Sequence, residues 1–280
     1  MKITEIRTAE VKGHGYSCFV RIGTDGGLTG MGECIHGGAG IQQIIAGLAP
    51  LILGENPLNV ERLFEKMRRA RVFDGAAAGN LVTALAGIEI ALWDLAGRAV
   101  GLPVYALLGG QFRERIRLYV DCHASGDDSP QANADKAKAV VEMGFTALKF
   151  DLDDRASPHK YDAFNHTVSP AELDAMVAKA RAVREAVGPH VDVAMDLHGV
   201  YDTGSGLRIA QALEPYNLLW LEEPAPPENV AALREIKRGT RTPICAGENL
   251  YLRWGFRDLI EQQAVDIIMP DLAKAGGLME

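Results

Sequence analysis

The sequence predicts an α/β protein in which a (β/α) TIM-like barrel follows an N-terminal α+β domain. From Arg115 onward, short apolar stretches alternate with amphipathic helical stretches, and six such βα units follow one another with the same connectivity. Residues 1–113 instead place strand patterns first and helical patterns after them, which is typical of an α+β arrangement. We therefore predict an α+β domain over residues 1–113 and a barrel domain over residues 114–280.

The spacing of apolar residues predicts the elements of the first domain, because it changes along the chain from the alternation of strands to the spacing of helices. MKITEIRTAEV and YSCFVRIGTD alternate as a pair of strands does, and the Gly-rich stretch GGLTGMGECI predicts a third strand. Helical spacing then predicts helices in NPLNVERLFEKMRRA and NLVTALAGIEIALWDLAGRAVG. Gly101, followed by Pro103, predicts the end of the second helix, so the segment from Gly101 to Gly110 is the expected domain boundary.

Six apolar stretches predict the strands of the barrel: RIRLYVD, TALKFD, VDVAMDLH, LLWLEEP, PICAGE and VDIIMPD. The long insertion after the second of them, DLDDRASPHKYDAFNHTVS, is expected to be a loop at the active-site end of the barrel. Six units do not close an eight-stranded barrel. We therefore expect the sequence to be incomplete, with the barrel truncated after its sixth strand.

Composition excludes several classes of protein. The 280 residues are 48% apolar and 24% charged, which favours a globular chain with a large core over a disordered one. The net charge is −8, and no run of Lys or Arg forms a patch for nucleic acid or a membrane. The N-terminus lacks the apolar core of a secretory signal, so we expect a soluble cytoplasmic protein. The four cysteines are scattered without metal or redox spacing and are expected to be small buried residues.

Three acidic residues recur at one interval and predict a metal site. Asp196, Glu222 and Glu248 are 26 residues apart, and each follows a short apolar stretch that predicts a buried strand. In a barrel the carboxyl ends of the strands form the active-site face, so the three carboxylates should converge there. Convergent carboxylates need a cation to offset their repulsion, and hard oxygen ligands suit Mg²⁺.

Strand alternation places further polar residues at the same end of the barrel. Residues i and i+2 of a strand share a face, so His198 should accompany Asp196, and Asp151 should accompany Lys149. Asp271 follows Glu248 by 23 residues, at the end of the sixth predicted strand.

These residues lie in motifs that resemble the enolase superfamily, in its mandelate racemase and muconate lactonizing enzyme branch. The resemblance covers essentially the whole chain and is carried by GIEIALWDLAGRAVGLPVYALLGG, by the triad of Asp196, Glu222 in LEEP and Glu248 in AGEN, and by MPDLAKAGG. It implies that residues 1–113 form a capping domain. It also implies one Mg²⁺ held by the triad, a carboxylate substrate bound to that ion, and abstraction of the proton α to the carboxylate.

The Asp-x-His placement of His198 resembles the acid-sugar dehydratases of this branch, those similar to galactonate dehydratase. The resemblance implies that His198 protonates the departing β-hydroxyl, for which it must be substantially protonated. It also implies that Asp271 orients a His that acts as the base, and that this His lies beyond residue 280. Lys149 is expected to pair with the substrate carboxylate or with a member of the triad.

One departure from the branch bears on the reaction. Many relatives carry Lys-x-Lys at the end of the second barrel strand, whereas this chain has Lys149-x-Asp151, which disfavours a two-base racemase. We expect Asp151 to contact substrate, together with His14 and Tyr16 of KGHGYS, and residues 36–40, HGGAG, are a further candidate lid.

The sequence thus predicts a Mg²⁺-dependent dehydratase that converts an aldonate or aldarate into a 2-keto-3-deoxy acid and functions as a homo-oligomer. A racemase or epimerase of a carboxylate substrate is one alternative. A non-catalytic protein that retains the fold is the other.

Overall fold

The computed structural model describes residues 1–13, 15–35, 40–122, 127–154, 157–162 and 164–280. The chain forms two compact units. The first comprises residues 1–114, 248–256 and 270–280, and the second comprises residues 115–247 and 257–269.

An antiparallel sheet with the strand order β1-β2-β3 forms one layer of the first unit. Its strands are β1 (Ile3–Lys12), β2 (Tyr16–Thr24) and β3 (Thr29–Cys34). The register pairs Cys18 with Cys34 across the last two strands. Apolar side chains that alternate along β2, such as Val20 and Ile22, face the core and are fully buried.

Two helices, α1 (Ile41–Ile52) and α3 (Gly79–Val100), pack on this sheet. Two more, α2 (Val60–Ala70) and α4 (Val104–Leu107), pack on α3. Helix α1 was not predicted from the sequence, although its buried residues Ile41, Ile45, Leu48 and Ile52 have helical spacing. Pro50 stands in the last turn of α1, where its ring ends the regular pattern.

Helix α3 is the central element of the first unit. It is apolar and long enough to cross a membrane by length and composition, yet 72% of its most apolar window is buried inside the unit, as in the core helix of a globular domain. Gly87 of α3 lies directly against the Cys34 side chain, so a Cβ there would overlap the sulfur atom. The helix ends at Gly101, which has the left-handed φ of +70° that favours glycine, and the predicted helix stop is confirmed.

The second unit contains a parallel sheet of six strands within the described residues, in the sequential order β4-β5-β6-β7-β8-β9. The strands are β4 (Val120–Asp121), β5 (Ala147–Asp151), β6 (Asp192–Asp196), β7 (Leu221–Glu222), β8 (Ile244–Ala246) and β9 (Ile267–Ile268). The helices after β4 are α5 (Pro130–Glu142), α6 (Pro170–Val187), α7 (Thr203–Leu213), α8 (Val230–Gly239), α9 (Leu252–Glu261) and α10 (Leu272–Ala275). Helix α10 and the start of α9 belong to the first unit. The predicted succession of six βα units is confirmed.

The predicted strands differ from the observed ones mainly in length. RIRLYVD contributes only Val120–Asp121 to the sheet, and Ile116 and Leu118 before it are largely exposed. All four cysteines are buried thiols, as predicted. Burial raises the pKa of the Cys34 thiol to about 12, so the thiol is unreactive at neutral pH.

Candidate active site

Three carboxylates lie side by side at the carboxyl ends of neighbouring strands. Asp151, Asp196 and Glu222 are the last residues of β5, β6 and β7, and the sheet register pairs Asp151 with Asp196 and Asp196 with Glu222. We call these three residues the carboxylate row. Asp196 and Glu222 are 1% and 0% exposed, so their charges are almost entirely removed from water. Buried charges of one sign require cationic partners.

Lys149 provides the first of these partners. It precedes Asp151 by two positions in β5, and its Nζ lies 2.6 Å from Oδ2 of Asp196 and 3.2 Å from Oε2 of Glu222. Burial acts to lower the pKa of Lys149, but the negative charges of Asp196 and Glu222 outweigh it and raise the pKa above its usual value. Lys149 is therefore a permanent cation that joins two members of the row.

Glu222 retains an oxygen that no group in the described part of the chain satisfies. Its Oε2 accepts hydrogen bonds from Lys149 and from Nε1 of Trp220, whereas its buried Oε1 has no hydrogen-bond partner there. Burial, together with the charge of Asp196, raises the pKa of Glu222 to about 7. A buried oxygen without a donor is costly in a folded protein, and a bound cation would remove that cost.

His198 reaches the row through a tight turn and not through strand geometry. Strand β6 ends at Asp196, and His198 adopts a φ of +47°. This is the left-handed region of backbone conformation, which residues other than glycine rarely occupy. Its backbone N–H donates a hydrogen bond of 2.9 Å to Oδ1 of Asp196, which helps to hold this conformation. Strain of this kind is concentrated at functional sites because the surrounding structure must maintain it.

The His198 ring has a carboxylate on each side. Its Nδ1 lies 2.7 Å from Oδ1 of Asp153, and its Nε2 lies 3.8 Å from Oδ2 of Asp196 and 3.9 Å from Oδ1 of Asp151. The hydrogen bond to Asp153 raises the pKa of His198 to about 9; burial opposes this rise, and the charges of Asp196, Asp153 and Asp151 add to it. The imidazole is therefore a cation near neutral pH, as a proton donor must be.

Asp153 was not among the residues that the sequence analysis selected. Its side chain is 5% exposed and faces His198 from the segment directly after β5. A signal was present, because Lys149, Asp151 and Asp153 alternate in KFDLD and so fall on one face of an extended chain.

A second grouping of possible metal ligands exists in the described part of the chain. Ligand atoms of Asp151, Asp196 and His198 all lie within 4.8 Å of one another. A metal ion bound by this set would have to replace the proton of the imidazole, since only a neutral imidazole can act as a ligand. Asp196 and Glu222, the two carboxylates that share Lys149, remain the better ligand candidates.

Comparison with known proteins identifies the family. Residues 5–109 match the N-terminal domain of the mandelate racemase / muconate lactonizing enzyme family, and residues 132–280 match the enolase C-terminal domain-like family. The chain belongs to the enolase superfamily, in its mandelate racemase and muconate lactonizing enzyme branch. The predicted fold, an N-terminal cap followed by a barrel domain, is confirmed.

Individual relatives cover the whole chain. A D-xylonate dehydratase from Haloferax volcanii is 43% identical over 280 residues, which are all of this chain and 68% of that protein. A D-galactonate dehydratase from Variovorax paradoxus is 33% identical, with 70% of its length covered. The crystal structure of a mandelate racemase/muconate lactonizing enzyme-like protein from Rubrobacter xylanophilus superimposes with a TM-score of 0.94 at 49% identity, over 100% of this chain and 74% of that one.

Two residues that the superfamily resemblance selected lie in the first compact unit. Glu248 follows β8 by two positions, is half-buried, and has an Oε1 atom 3.4 Å from Nδ2 of Asn249. Asp271 caps helix α10, since its side chain accepts a hydrogen bond of 3.1 Å from the N–H of Ala273. The roles of Glu248 as a metal ligand and of Asp271 as an orienting residue remain predictions.

The predicted substrate contacts in the capping domain are also untested. Tyr16 begins β2 with 51% of its surface exposed, and Nζ of Lys12 lies 5.6 Å from the centre of its ring. His14 and residues 36–39 lie outside the described residues. Asp151 has a partly exposed side chain, and its Oδ1 lies 3.9 Å from Nε2 of His198.

Proposed function

We propose that this protein is a Mg²⁺-dependent dehydratase that converts an acid sugar, an aldonate or aldarate, into its 2-keto-3-deoxy product. The observation that carries the proposal is the placement of a cationic imidazole, that of His198, directly beside the buried carboxylate row. Removal of a β-hydroxyl needs a proton donor next to a site that binds the substrate carboxylate. The names of the D-xylonate and D-galactonate dehydratases support the same class of substrate.

The residues present fit a divalent cation. Among the described side chains around Lys149 and His198, five carboxylates outnumber these two cations by three when all are ionised: Asp121, Asp151, Asp153, Asp196 and Glu222. The buried Oε1 of Glu222 adds an oxygen that no hydrogen bond satisfies in the described structure. Asp196, Glu222 and Glu248 are the proposed ligands. Bound Mg²⁺ would supply a Lewis acid that acidifies the α-proton of a carboxylate substrate.

The chain's own groups then have distinct tasks. Lys149 holds Asp196 and Glu222 in place and offsets their negative charge. The Nε2–H of His198 donates its proton to the β-hydroxyl as the carbon–oxygen bond breaks, so that water leaves and the imidazole becomes neutral. Asp271 is proposed to orient the base that takes the α-proton. Asp151, in the position where relatives carry a second Lys, lies 3.9 Å from the proton donor and disfavours a two-base racemase.

Proton NMR in D₂O tests the reaction directly. The protein is incubated with a panel of aldonates and aldarates, with Mg²⁺ or with EDTA. We expect signals of a 2-keto-3-deoxy acid only with Mg²⁺. Deuteration of the α-carbon without loss of water would instead favour a racemase, and unchanged spectra across the panel would count against an acid-sugar enzyme.

The variant His198→Asn tests the proposed proton donor. It should abolish loss of water while α-deuteration remains measurable, since the two steps use different groups. The control His190→Asn changes an exposed histidine of the same unit and should leave both signals unchanged. If His198→Asn loses no activity, the assignment of the acid is wrong.

A further inference from the structure

We propose that Asp153 is a positioning residue for the proton donor: it holds Nδ1 of His198 so that Nε2 is directed at the carboxylate row. The proposal rests on the proposed function in one respect, that His198 is the donor. The geometry itself is independent of the reaction. Asp153 is not a catalytic residue in this scheme, because it acts through the imidazole and not on the substrate.

The distance and the burial of the contact between Asp153 and His198 indicate a specific interaction. The 2.7 Å between Nδ1 of His198 and Oδ1 of Asp153 is a short, charge-assisted hydrogen bond. Asp153 is 5% exposed at its side chain, whereas His198 is 35% exposed, so a small molecule can reach the imidazole but not the carboxylate behind it. With Nδ1 occupied, Nε2 is the nitrogen that faces Asp151 and Asp196 and is open to substrate.

The backbone on the Asp153 side is fixed. Leu152, the residue before it, is 3% exposed, and its N–H donates a hydrogen bond of 2.9 Å to the carbonyl oxygen of Asp196. This hydrogen bond therefore connects the segment that carries Asp153 to the end of β6, one residue after β5 ends. Asp153 and His198 thus lie on two chain segments that a backbone hydrogen bond connects.

A buried polar cluster connects described residues of the loop that follows β5 to the turn after β6. Nζ of Lys160 lies 2.7 Å from Oε1 of Glu172, and the hydroxyl of Tyr201 donates a 2.6 Å hydrogen bond to the same oxygen. Glu172 and Tyr201 are 3% and 1% exposed. Tyr201 belongs to the turn after β6, so this cluster links the loop after β5 to the turn that carries His198.

Three further contacts connect the same loop and turn. His166 approaches the carbonyl oxygen of Val200 with its Nδ1 at 2.6 Å, and its own carbonyl accepts a 2.9 Å hydrogen bond from the N–H of Asp202. The hydroxyl of Thr167 donates to Oδ2 of Asp202 at 2.9 Å. Both partners of the Asp153–His198 contact thus stand on mutually bonded segments, which is the preorganisation that proton transfer to a bound substrate requires.

The first test examines the hydrogen bonding of the His198 imidazole by NMR, in the absence of substrate. Protein labelled with ¹⁵N at histidine is compared with Asp153→Ala and Asp153→Asn by NMR, and the His198 signals are assigned with His198→Asn. We expect a slowly exchanging, hydrogen-bonded Nδ1 proton in the wild type. It should be lost in Asp153→Ala and retained in part in Asp153→Asn, whose amide oxygen can still accept. Identical His198 signals in the wild type and Asp153→Ala would overturn the proposal.

The second test separates kcat from KM. Misplacement of a catalytic group costs on the order of 100-fold in rate. Asp153→Ala should therefore lower kcat for loss of water by about 100-fold, with KM nearly unchanged because Asp153 does not contact substrate. Asp153→Asn should recover part of the loss. A wild-type kcat in Asp153→Ala, or a change confined to KM, would contradict the positioning role.

The control is Asp154→Ala, which removes the same charge from the next residue, at an exposed position. It should retain the wild-type kcat. Circular dichroism on each variant shows whether it is folded, and Asp153→Asn keeps the test valid if Asp153→Ala does not fold. If the wild type converts no acid sugar, the proposed function fails, while the NMR comparison still decides whether Asp153 positions His198.

Discussion

The Nζ atom of Lys149 lies 2.6 Å from Oδ2 of Asp196, and each residue is at most 5% exposed. Removing two charges from water is expensive, so such a pair is retained where the position of the charges matters more than their net contribution to stability. Lys149 also reaches Glu222, and it therefore holds two carboxylates at adjacent strand ends. The arrangement fixes the positions of their oxygen atoms.

Replacement of Lys149 by Met should destabilise the protein strongly. The variant leaves Asp196 and Glu222 buried without their cation, and breaking a buried pair costs about 3–5 kcal/mol in the free energy of unfolding. Urea unfolding in EDTA measures the loss. Addition of Mg²⁺ should restore part of it, because a ligand that binds only the folded state stabilises that state.

The control for this experiment is Lys66→Met. Lys66 pairs with Glu55 at the surface, where 40% of its side chain is exposed, and such pairs contribute little to stability. An equal loss of stability in the two variants would show that Lys149 is an ordinary ion-pair partner.

Glu222→Gln should weaken Mg²⁺ binding. The change removes the charge of a proposed ligand while keeping its size, and loss of a direct ligand should exceed the roughly 100-fold that outer-shell substitutions cost. Isothermal titration with Mg²⁺ measures the affinity. Glu235→Gln, on the exposed face of α8, should bind as the wild type does. A metal titration that Glu222→Gln leaves unchanged would remove Glu222 from the ligand set.

The stability of the protein in EDTA should depend on pH through His198. Folding raises its pKa from 6.5 to about 9, so the folded state binds the proton more tightly than the unfolded state does. The favourable contribution is complete below pH 6.5 and is lost as the pH rises through about 9. Wild-type stability should therefore fall more steeply than that of His198→Asn over this range, in urea unfolding at a series of pH values. The same dependence of stability on pH in the two proteins would contradict the raised pKa of His198.

Glu89→Gln should destabilise the first compact unit. Glu89 is fully buried in α3 and accepts hydrogen bonds from the N–H groups of Leu278 and Met279 and from Nε1 of Trp93, at 2.7–2.9 Å. A glutamine amide would set an N–H group against one of these donors, at a cost of about 1–3 kcal/mol.

Thermal or urea unfolding measures this cost, and Glu61→Gln on the exposed side of α2 is the matched control. A glutamine tolerated at position 89 without loss of stability would show that the charge of Glu89 is dispensable for anchoring residues 277–279.

The sequence predicted the fold more completely than the site. An apolar strand followed by one acidic residue is a local pattern, and it located Asp196 and Glu222 at strand ends. Helix α1 escaped prediction because Pro50 and the flanking Gly40 interrupt its regular signals, although its buried face has helical spacing. Local pattern thus specified most elements, and failed where a helix carried a residue that usually ends one.

The surroundings of His198 depend on contacts that no local pattern records. Its φ of +47° accompanies a hydrogen bond from its backbone N–H to Asp196, and strand alternation does not predict this turn conformation. Asp153 is 45 residues away in sequence and meets His198 only because two loops pack together. The partner of the proposed proton donor is therefore set by tertiary structure.

In the proposed reaction, the carboxylate row should impose an order on binding. An aldonate is an anion, and a mouth with an excess of negative charge repels it over a distance of about 8 Å, the Debye length at physiological ionic strength. The same field draws a divalent cation inward and accelerates its capture. We expect ordered addition, with the cation first and the sugar acid second, so the apparent affinity for substrate should rise with the concentration of free Mg²⁺ until the ion saturates its site.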